Sequence, residues 1–258
     1  MMENSWVLDF GNSRVKLVQF EHENLLSIWT DEEALEEAHR NPRLDSSALM
    51  LVAATGPINE QWAAWIDQSL QNAQGPRIIQ LETAEDVPWA TAYDSPATLG
   101  LDRLANAAAA VALDAKSDWL VIDAGTCITV DFIHDGQFQG GSISPGIDLR
   151  LRAMYAGTAS LPYPEDWRER SSAGIALHLG NDTESSLLAG AIGGVHAELA
   201  ARIDAFNTEF PGIRIALTGG DAKFLELRSE LTIFADPNLT WIGYHHLLNR
   251  IISHESAS

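Results

Sequence analysis

Short apolar runs bounded by turn residues alternate with amphipathic segments along most of the chain. The runs predict strands, because about four to eight apolar residues flanked by glycine, asparagine or proline are typical of buried strands. The amphipathic segments predict helices, because their apolar residues recur every three or four positions. This alternation favours an α/β protein.

The predicted strands and helices follow one another in a regular order. Strands are predicted in 6–20, where a turn separates two of them, at 24–30, 48–55 and 76–82, in 118–133, where a second turn separates two more, and at 213–217 and 231–237. Helices are predicted at 31–40, 59–73, 101–115, 147–155, 183–206 and 238–253, with another after the turn at 219–220. Residues 83–99 are predicted to form a loop, and loops of that length are usually functional.

A strand–turn–strand pattern, in which an aspartate ends the first strand, occurs twice, around Asp9 and around Asp123. The chain has 258 residues, which is long enough for two domains. This lobe-sized internal repeat therefore predicts two lobes with a cleft between them. We place the boundary at the polar step near 116–118, which gives an N-terminal lobe of residues 1–116 and a C-terminal lobe of residues 117–258.

The composition of the chain indicates which binding partners and which cellular compartment are expected. The formal net charge is −20, so the protein is expected to repel nucleic acid and anionic membranes at long range. An anionic substrate would need a few local cations to reverse that field. The single cysteine, Cys127, excludes an intrachain disulfide and favours the cytoplasm. The first ten residues predict neither a signal peptide nor a transmembrane span.

The first motif with a chemical interpretation is DFGNSRVK, from Asp9 to Lys16. Gly11 allows a tight turn and a close approach of the backbone to a bulky anion. The N–H groups of the turn and the side chains of Asn12 and Ser13 can donate to phosphate oxygens, and Lys16 adds positive charge. Asp9 would repel phosphate, so its predicted role is to hold Mg²⁺ or its waters. An ordinary hairpin with a polar turn has the same sequence pattern.

The second motif, DAGTCITVD, runs from Asp123 to Asp131 and repeats this arrangement, with Thr126 and Thr129 after the glycine. Two such turns in one chain favour a nucleotide site over two unrelated hairpins. Facing each other across the cleft, the two turns are predicted to bind a polyphosphate from both sides.

The third motif, TGGDA, follows the apolar strand at 213–217. Gly219 and Gly220 would let a flat ring lie against the backbone, which suits the adenine and ribose of a nucleotide, although a Gly-Gly pair alone is more often only a turn. The chain has no G-x-G-x-x-G after a strand and no Walker lysine loop. A dinucleotide enzyme and a P-loop kinase are therefore disfavoured.

In this order, two aspartate-led phosphate turns and a late Thr-Gly-Gly turn resemble the actin, Hsp70 and sugar-kinase superfamily. Further motifs narrow the resemblance to type III pantothenate kinases: GLDR at Gly100–Arg103, GGSISPG at Gly140–Gly146, Thr158-Ala159 ahead of Leu161-Pro162, GNDT at Gly180–Thr183 and DPNLTWIG at Asp236–Gly243. The resemblance spans nearly the whole chain. It implies two ribonuclease H-like lobes of the actin-like ATPase fold, with mixed sheets flanked by helices and a cleft between the lobes.

The resemblance implies transfer of phosphate from ATP to pantothenate, the first step toward coenzyme A. Asp102, at the start of a helix, would then be the general base for the pantothenate hydroxyl, although capping a helix is a very common use of aspartate. Arg103 would pair with the substrate carboxylate or steady the phosphoryl group. The implied substrate-binding residues are Tyr93, Gly100, Leu101, Asp102, Arg103 and Thr183. Tyr93 as a half-buried loop aromatic and Thr183 as a helix N-cap are the ordinary alternatives.

The resemblance also implies a monovalent cation, potassium or ammonium, at Asp123, with Thr126 in contact with ATP phosphate. Such a cation would offset the repulsion between carboxylate and phosphate. A homodimer is implied as well, with the acceptor pocket formed partly across its interface. The chain departs from the family pattern at Ser13, where threonine is frequent, and at Cys127, where alanine is frequent.

Three functions are compatible with these motifs. The first is an active pantothenate kinase, the second a regulatory protein that keeps the fold without turnover, and the third a related kinase that phosphorylates another small hydroxyl acceptor. The presence of Asp9, Lys16, Asp102 and Asp123 together favours the first. The eight histidines show no metal-binding spacing, and the adjacent His245 and His246 are predicted to be structural.

Overall fold

A computed structural model describes residues 4–89, 91–172, 174, 178–225, 227 and 230–256. The strands are β1 Ser5–Phe10, β2 Val15–Glu21, β3 Asn24–Thr30, β4 Leu49–Ala54, β5 Arg77–Leu81, β6 Trp119–Ala124, β7 Cys127–His134, β8 Gln137–Pro145, β9 Arg214–Thr218 and β10 Ile233–Ala235. The helices are α1 Asp31–Arg40, α2 Glu60–Gln71, α3 Leu101–Leu113, α4 Ile147–Gly157, α5 Trp167–Ser172, α6 Thr183–Leu188, α7 Gly194–Glu209 and α8 Leu239–Glu255. None of the helices described is long and apolar enough to cross a bilayer.

The chain forms two compact units, Met1–Ala115 with Asn238–Ser258, and Lys116–Pro237. The sheet of the first unit has the order β3-β2-β1-β4-β5, with β1 antiparallel to β2 and parallel to β4. The sheet of the second unit has the order β10-β9-β6-β7-β8, with β6 antiparallel to β7 and parallel to β9. The two sheets share one topology, and β1 and β6, which carry the motif aspartates, are their central strands. The predicted internal repeat is therefore confirmed.

Each unit has its own hydrophobic core. In the first unit, Trp6, Leu8 and Phe10 of β1 pack with Trp62 and Trp65 of α2. In the second unit, side chains of β6, α4 and α7 form the corresponding layer, among them Leu120, Ile122, Ile147, Leu151, Val195 and Leu199. These close-packed layers hold the central strands rigidly, so the backbone at the ends of β1 and β6 has a fixed position.

Most predicted elements are confirmed within a few residues, but the helix predicted after the Gly219-Gly220 turn is wrong. A single 3₁₀ turn, Ala222–Phe224, follows instead, and Leu225 is extended and buried in the core of the second unit. Burying this leucine requires the chain to leave the helical conformation after one turn. Glu226, also in the predicted helix, lies outside the described residues.

Four other segments differ in detail from their predictions. The helix predicted at 183–206 extends to Glu209 and is divided by a π-helical turn at Ala189–Gly193, a wider turn that its glycines and alanines accommodate without crowding. The glycine-rich stretch before α4 forms strand β8, and α5 was not predicted. The predicted loop 83–99 contains two 3₁₀ turns, Ala84–Asp86 and Pro96–Thr98, and Ala90 within it lies outside the described residues.

The closing helix α8 belongs to the first unit, whereas the sequence-based division assigned it to the second lobe. Helix α8 packs along α3 and also contacts β1 and β4. Where α3 and α8 cross, a Cβ at Gly243 would overlap the carbonyl oxygen of Ala105, so the two backbones are in direct contact. Close helix packing, which no local pattern of the sequence specifies, therefore fixes where the last helix lies.

His245, on the same helix, is buried and stacks on Phe20 of β2, with ring centroids 4.4 Å apart. Burial, followed by the neighbouring His246, lowers the pKa of His245 from 6.5 to about 4. His245 is therefore neutral in the folded protein at pH 7. This agrees with the prediction that it is structural.

Replacing Gly243 by alanine should lower the free energy of unfolding by about 3 kcal/mol or more, because the new methyl group meets backbone that no rotamer change can move. Chemical denaturation measures the effect. Gly190→Ala is the matched control, because a Cβ there meets no described atom within 4 Å. Equal stability of the two variants would contradict the direct contact of α3 with α8.

The stability of the protein should fall as the pH is lowered from 6.5 towards 4, because unfolding lets His245 bind a proton that the folded state excludes. Between pH 7.5 and pH 5, this histidine should account for a loss of about 2 kcal/mol, and His245→Gln should flatten that part of the profile. Urea denaturation at several pH values measures it. Exposed His39 is the control, and a profile flattened equally by His39→Gln would contradict the assignment.

Candidate active site

Asp9 and Lys16 face each other next to the turn of the β1–β2 hairpin. They are direct partners in the antiparallel register, and Lys16 Nζ lies 3.6 Å from Asp9 Oδ2. Asp9 is 5% exposed, whereas the lysine side chain is about one quarter exposed, at 24%. The hairpin therefore places a buried carboxylate beside a cation that can still reach solvent.

The turn between β1 and β2 is supported from behind by the chain that leaves β4. The Gly11 N–H donates to Arg14 O at 3.1 Å, and the Thr55 and Gly56 N–H groups both donate to Phe10 O. A Cβ at Gly56 would overlap the Gly11 carbonyl, so only glycine permits this approach. Asn12 and Ser13 are exposed at the tip of the turn. The predicted phosphate-binding residues are thus held on a fixed backbone.

Trp241, in the first turn of α8, completes the surroundings of Asp9. Its Nε1–H donates to Asp9 Oδ2 at 3.1 Å, and Lys16 Nζ lies 5.6 Å from the centroid of its ring. The sequence placed Trp241 within a family motif but gave it no role. A contact between residues 232 positions apart leaves no local signal that could have revealed it.

The electrostatics of Asp9 connect it with Asp102. Burial raises the pKa of Asp9 above its usual value, the Lys16 charge and the Trp241 hydrogen bond oppose that rise, and the negative charge of Asp102 adds to it. The first unit therefore brings two of the predicted site carboxylates close enough to repel each other. A cation at Asp9 would relieve both the burial of its charge and this repulsion.

Asp9 fits a divalent cation such as Mg²⁺. Among the described residues, Trp241 donates to Oδ2, the shortest distance from Lys16 Nζ is also to Oδ2, and Oδ1 accepts no hydrogen bond. The part of the chain that the structure describes contains no group of three or more histidine, cysteine, aspartate and glutamate residues able to hold a metal. A single carboxylate suits Mg²⁺, which is commonly held by one or two carboxylates together with waters and substrate phosphates.

Asp102 lies in the first turn of α3, two residues after Gly100. Gly100 occupies the N-cap position and Asp102 is the second residue of the helix, where its carboxylate still accepts an N–H group of the first turn, as in helix capping. Asp102 Oδ1 accepts the Arg103 N–H at 2.8 Å, and a Cβ at Gly100 would lie only 2.7 Å from that oxygen. Gly100 thus leaves room for the carboxylate at the positive end of the helix dipole.

The other predicted acceptor residues of the first unit lie around the start of α3. Arg103 is buried, and its Cζ lies 5.7 Å from the centroid of the half-buried Tyr93 ring. Leu101 is buried in the core, so its contribution is to anchor the helix start. The structure therefore brings Tyr93 and Arg103 together in one place.

The second motif is built like the first. Asp123 is the last residue but one of β6, the Gly125 N–H donates to Cys127 O at 3.1 Å, and Thr126 is exposed. Gly146 supports this turn as Gly56 supports the other: its N–H donates to Thr126 O at 3.0 Å, and a Cβ there would overlap Gly125 O.

The third motif lies against the same strand end. Strands β6 and β9 are parallel, with Asp123 beside Thr218. Gly219 has a φ of 99°, and a Cβ on it would overlap the backbone of Ala124. Gly220 is exposed, and a Cβ there would meet no described atom within 4 Å. The second unit thus brings the predicted phosphate turn and the predicted adenosine turn together.

Arg168 of α5 lies beside the third motif and was missed by the sequence analysis. Its Nη2 is 3.5 Å from Asp221 Oδ1, and its guanidinium lies 4.2 Å from the centroid of a Trp167 ring. Burial raises the pKa of Asp221, and Arg168 opposes that rise. No sequence pattern indicated this cation, because α5 itself was not predicted.

Thr183 is the first residue of α6, and its N-cap is Asp182, whose Oδ1 accepts the Ser185 N–H at 2.8 Å. The interpretation of Thr183 as the N-cap is therefore wrong. Thr183 is exposed.

Comparison with known proteins identifies the family. A family model described as "Type III pantothenate kinase" matches residues 6–205. The type III pantothenate kinase of Phocaeicola vulgatus is 35% identical over 256 residues, which covers 96% of this chain and 97% of that protein. The type III pantothenate kinase of Christiangramia forsetii is 32% identical over 251 residues, which covers 94% and 96% of the two chains.

Solved structures agree on the fold. A Baf family protein of Campylobacter jejuni, described as a transcriptional activator, has a TM-score of 0.59 at 20% identity and covers 98% of this chain and 100% of its own. The activator of 2-hydroxyisocaproyl-CoA dehydratase from Clostridium difficile, solved with bound ADPNP, has a TM-score of 0.50 at 10% identity, with 98% and 96% covered. The expected α/β fold of the actin-like ATPase and sugar-kinase class, with two mixed sheets flanked by helices, is confirmed. The family match over most of the chain, together with relatives similar over nearly their whole length, shows that this chain belongs to the type III pantothenate kinase family.

Proposed function

We propose that this protein transfers the terminal phosphoryl group of ATP to the primary hydroxyl of pantothenate, producing phosphopantothenate and ADP in the first step of coenzyme A biosynthesis. The observation that carries the proposal is the arrangement of the first unit. There Asp9 is paired with Lys16, and the charge of Asp102 acts on that same carboxylate. The carboxylate proposed to hold the Mg²⁺ of the nucleotide and the candidate base thus influence each other's charge in a chain of this family.

Asp102 is assigned as the general base. Its carboxylate accepts the hydroxyl proton as the oxygen forms its bond to the γ-phosphorus, and the bond to the bridging oxygen breaks with its electrons going to ADP. The half-buried position of Asp102 and its place beside Gly100 support this assignment.

The phosphates of ATP are assigned to the two turns. In the first, the Gly11 backbone, the side chains of Asn12 and Ser13 and the Lys16 ammonium bind phosphate oxygens, and Asp9 holds Mg²⁺ or its waters. When bound, Mg²⁺ draws negative charge from the phosphate oxygens. In the second turn, the exposed Thr126 binds phosphate.

The adenosine of ATP is assigned to Gly219, which lies against the end of β6, and to Gly220, which leaves open space. Asp123, at that strand end, is assigned a potassium or ammonium ion. Such an ion would offset the repulsion between the carboxylate and the phosphates in a chain of net charge −20.

Pantothenate is assigned to the start of α3 and the loop before it. Arg103 pairs with the substrate carboxylate, and the Tyr93 ring beside it supports that contact. Gly100 and Leu101 place the base, and the hydroxyl of exposed Thr183 contacts the acceptor.

The protein is further proposed to be cytoplasmic, because ATP and the precursors of coenzyme A are found in the cytoplasm. It is also proposed to form a homodimer. Ile143 on β8, together with Leu149 and Tyr155 on α4, supports a dimer. These large apolar side chains are 62%, 37% and 57% exposed and would be covered by a second subunit.

Replacing Asp102 by asparagine should lower kcat by about 10²- to 10⁴-fold, because the hydroxyl loses its proton acceptor while the side chain keeps its shape. Pantothenate-dependent ADP release, with Mg²⁺ and potassium present, measures the change. Asp67→Asn is the control, because it removes the same charge from an exposed position on α2 of the same unit.

Three outcomes of this assay separate the candidate functions. Full activity of Asp102→Asn would remove the base assignment. No activity of the unaltered protein would favour a regulatory role. ADP release with a sugar but not with pantothenate would favour the related kinase.

Lys16→Gln should raise the KM for ATP by about tenfold or more, because a charge-assisted contact to phosphate is lost. Steady-state kinetics at varied ATP measures the effect, and the KM for pantothenate should change little. Arg40→Gln, which removes an exposed charge from α1, provides the comparison. An unchanged KM for ATP would exclude Lys16 from phosphate binding.

A further inference from the structure

The two oxygens of the Asp9 carboxylate have different surroundings. Oδ2 accepts the Trp241 Nε1–H at 3.1 Å and lies 3.6 Å from Lys16 Nζ. Within the described chain, Oδ1 accepts no hydrogen bond. A carboxylate with one oxygen held by a hydrogen bond and the other without one has a defined direction in which it can bind a further ligand.

We propose that Trp241 is a positioning residue, which holds Asp9 Oδ2 so that Oδ1 is presented to the Mg²⁺ of the bound nucleotide. This inference rests on the proposed function, in which Asp9 holds Mg²⁺ or its waters.

An indole is well suited to this role. Its N–H is a donor only, so it restrains the carboxylate without competing for the ion and without changing its own charge. Lys16, the other partner of Oδ2, has a flexible side chain and is itself assigned to phosphate. When Lys16 turns to a nucleotide, the hydrogen bond from Trp241 is the contact that remains on Oδ2.

The Trp241 ring also contacts Lys16. The ammonium lies 5.6 Å from the ring centroid, within the range of a cation–π contact, which limits the directions that the lysine can take. One side chain therefore contacts both members of the Asp9–Lys16 pair.

Helix packing fixes the position of the indole. Trp241 lies in the first turn of α8, where its backbone N–H donates to Asn238 O at 3.0 Å. Two residues later, Gly243 places α8 directly against the backbone of α3, and Tyr244 and Leu247 are fully buried. A side chain on a rigid helix holds its partner more accurately than a loop residue does.

The test measures the binding of ADP with and without Mg²⁺ by isothermal titration calorimetry, which needs no turnover. The unaltered protein should bind ADP more tightly when Mg²⁺ is present. Trp241→Phe keeps an aromatic ring beside Lys16 and loses the N–H donor. It should therefore reduce the Mg²⁺-dependent gain in ADP affinity by about tenfold. The affinity for ADP without Mg²⁺ should change little.

Trp65→Phe is the matched control. Trp65 is also a tryptophan of the first unit with an indole hydrogen bond, from its Nε1 to Ala38 O at 3.2 Å. This variant loses the same kind of bond away from the site and should keep the full gain from Mg²⁺. If Trp65→Phe and Trp241→Phe show the same Mg²⁺-dependent gain in ADP affinity, Trp241 contributes only to packing and the inference is wrong.

Asp9→Asn separates this inference from the proposed function on which it rests. Loss of the gain in Asp9→Asn but not in Trp241→Phe would overturn the role of Trp241 alone. Retention of the gain in Asp9→Asn would overturn the assignment of Asp9 to the ion, and the inference with it.

A measurement on the unaltered protein covers the case in which Trp241→Phe does not fold. The indole N–H signal of Trp241, assigned through bonds in an ¹⁵N-labelled sample, should shift when Mg²⁺ is added to the ADP-bound protein, whereas that of Trp65 should not. A Trp241 signal that does not respond to Mg²⁺ would overturn the proposal.

Discussion

The direct contact between the backbones of α3 and α8 is the constraint on which the first unit depends. Helix α3 begins with Gly100, Asp102 and Arg103, and α8 carries Trp241. Because Gly243 lies against Ala105 with no side chain between them, the starts of the two helices have a fixed separation. The candidate base and the indole that holds Asp9 are therefore placed by one packing interaction.

The aspartate-led turns show the same construction in both units. Each follows the central strand of a five-stranded sheet, and each is supported by a glycine from another segment, Gly56 in one unit and Gly146 in the other. In both cases a Cβ would overlap the carbonyl of the turn glycine. Repetition of the support, and not only of the turn sequence, indicates that the position of the turn backbone matters for function.

The sequence predicted what local chemistry determines and missed what long-range packing determines. Asp9 and Lys16 were predictable as neighbours, because a short turn sets the register of an antiparallel hairpin. Trp241 was not, because its partner is 232 positions away, and the placement of α8 in the first unit likewise depends on Gly243 meeting α3. The helix expected after Gly220 failed because burial of Leu225 outweighs local helix propensity.

The first unit is proposed to present Asp102 to the acceptor and Asp9 Oδ1 to the ion of the nucleotide. A crystal structure with a non-hydrolysable ATP analogue, Mg²⁺ and pantothenate would show both contacts at once. We expect the primary hydroxyl of pantothenate to lie about 3 Å from the Asp102 carboxylate. We also expect Oδ1 of Asp9 to bind Mg²⁺ or one of its waters, with Trp241 still bonded to Oδ2. A pantothenate hydroxyl bound away from Asp102, or Asp9 turned away from the ion, would contradict these assignments.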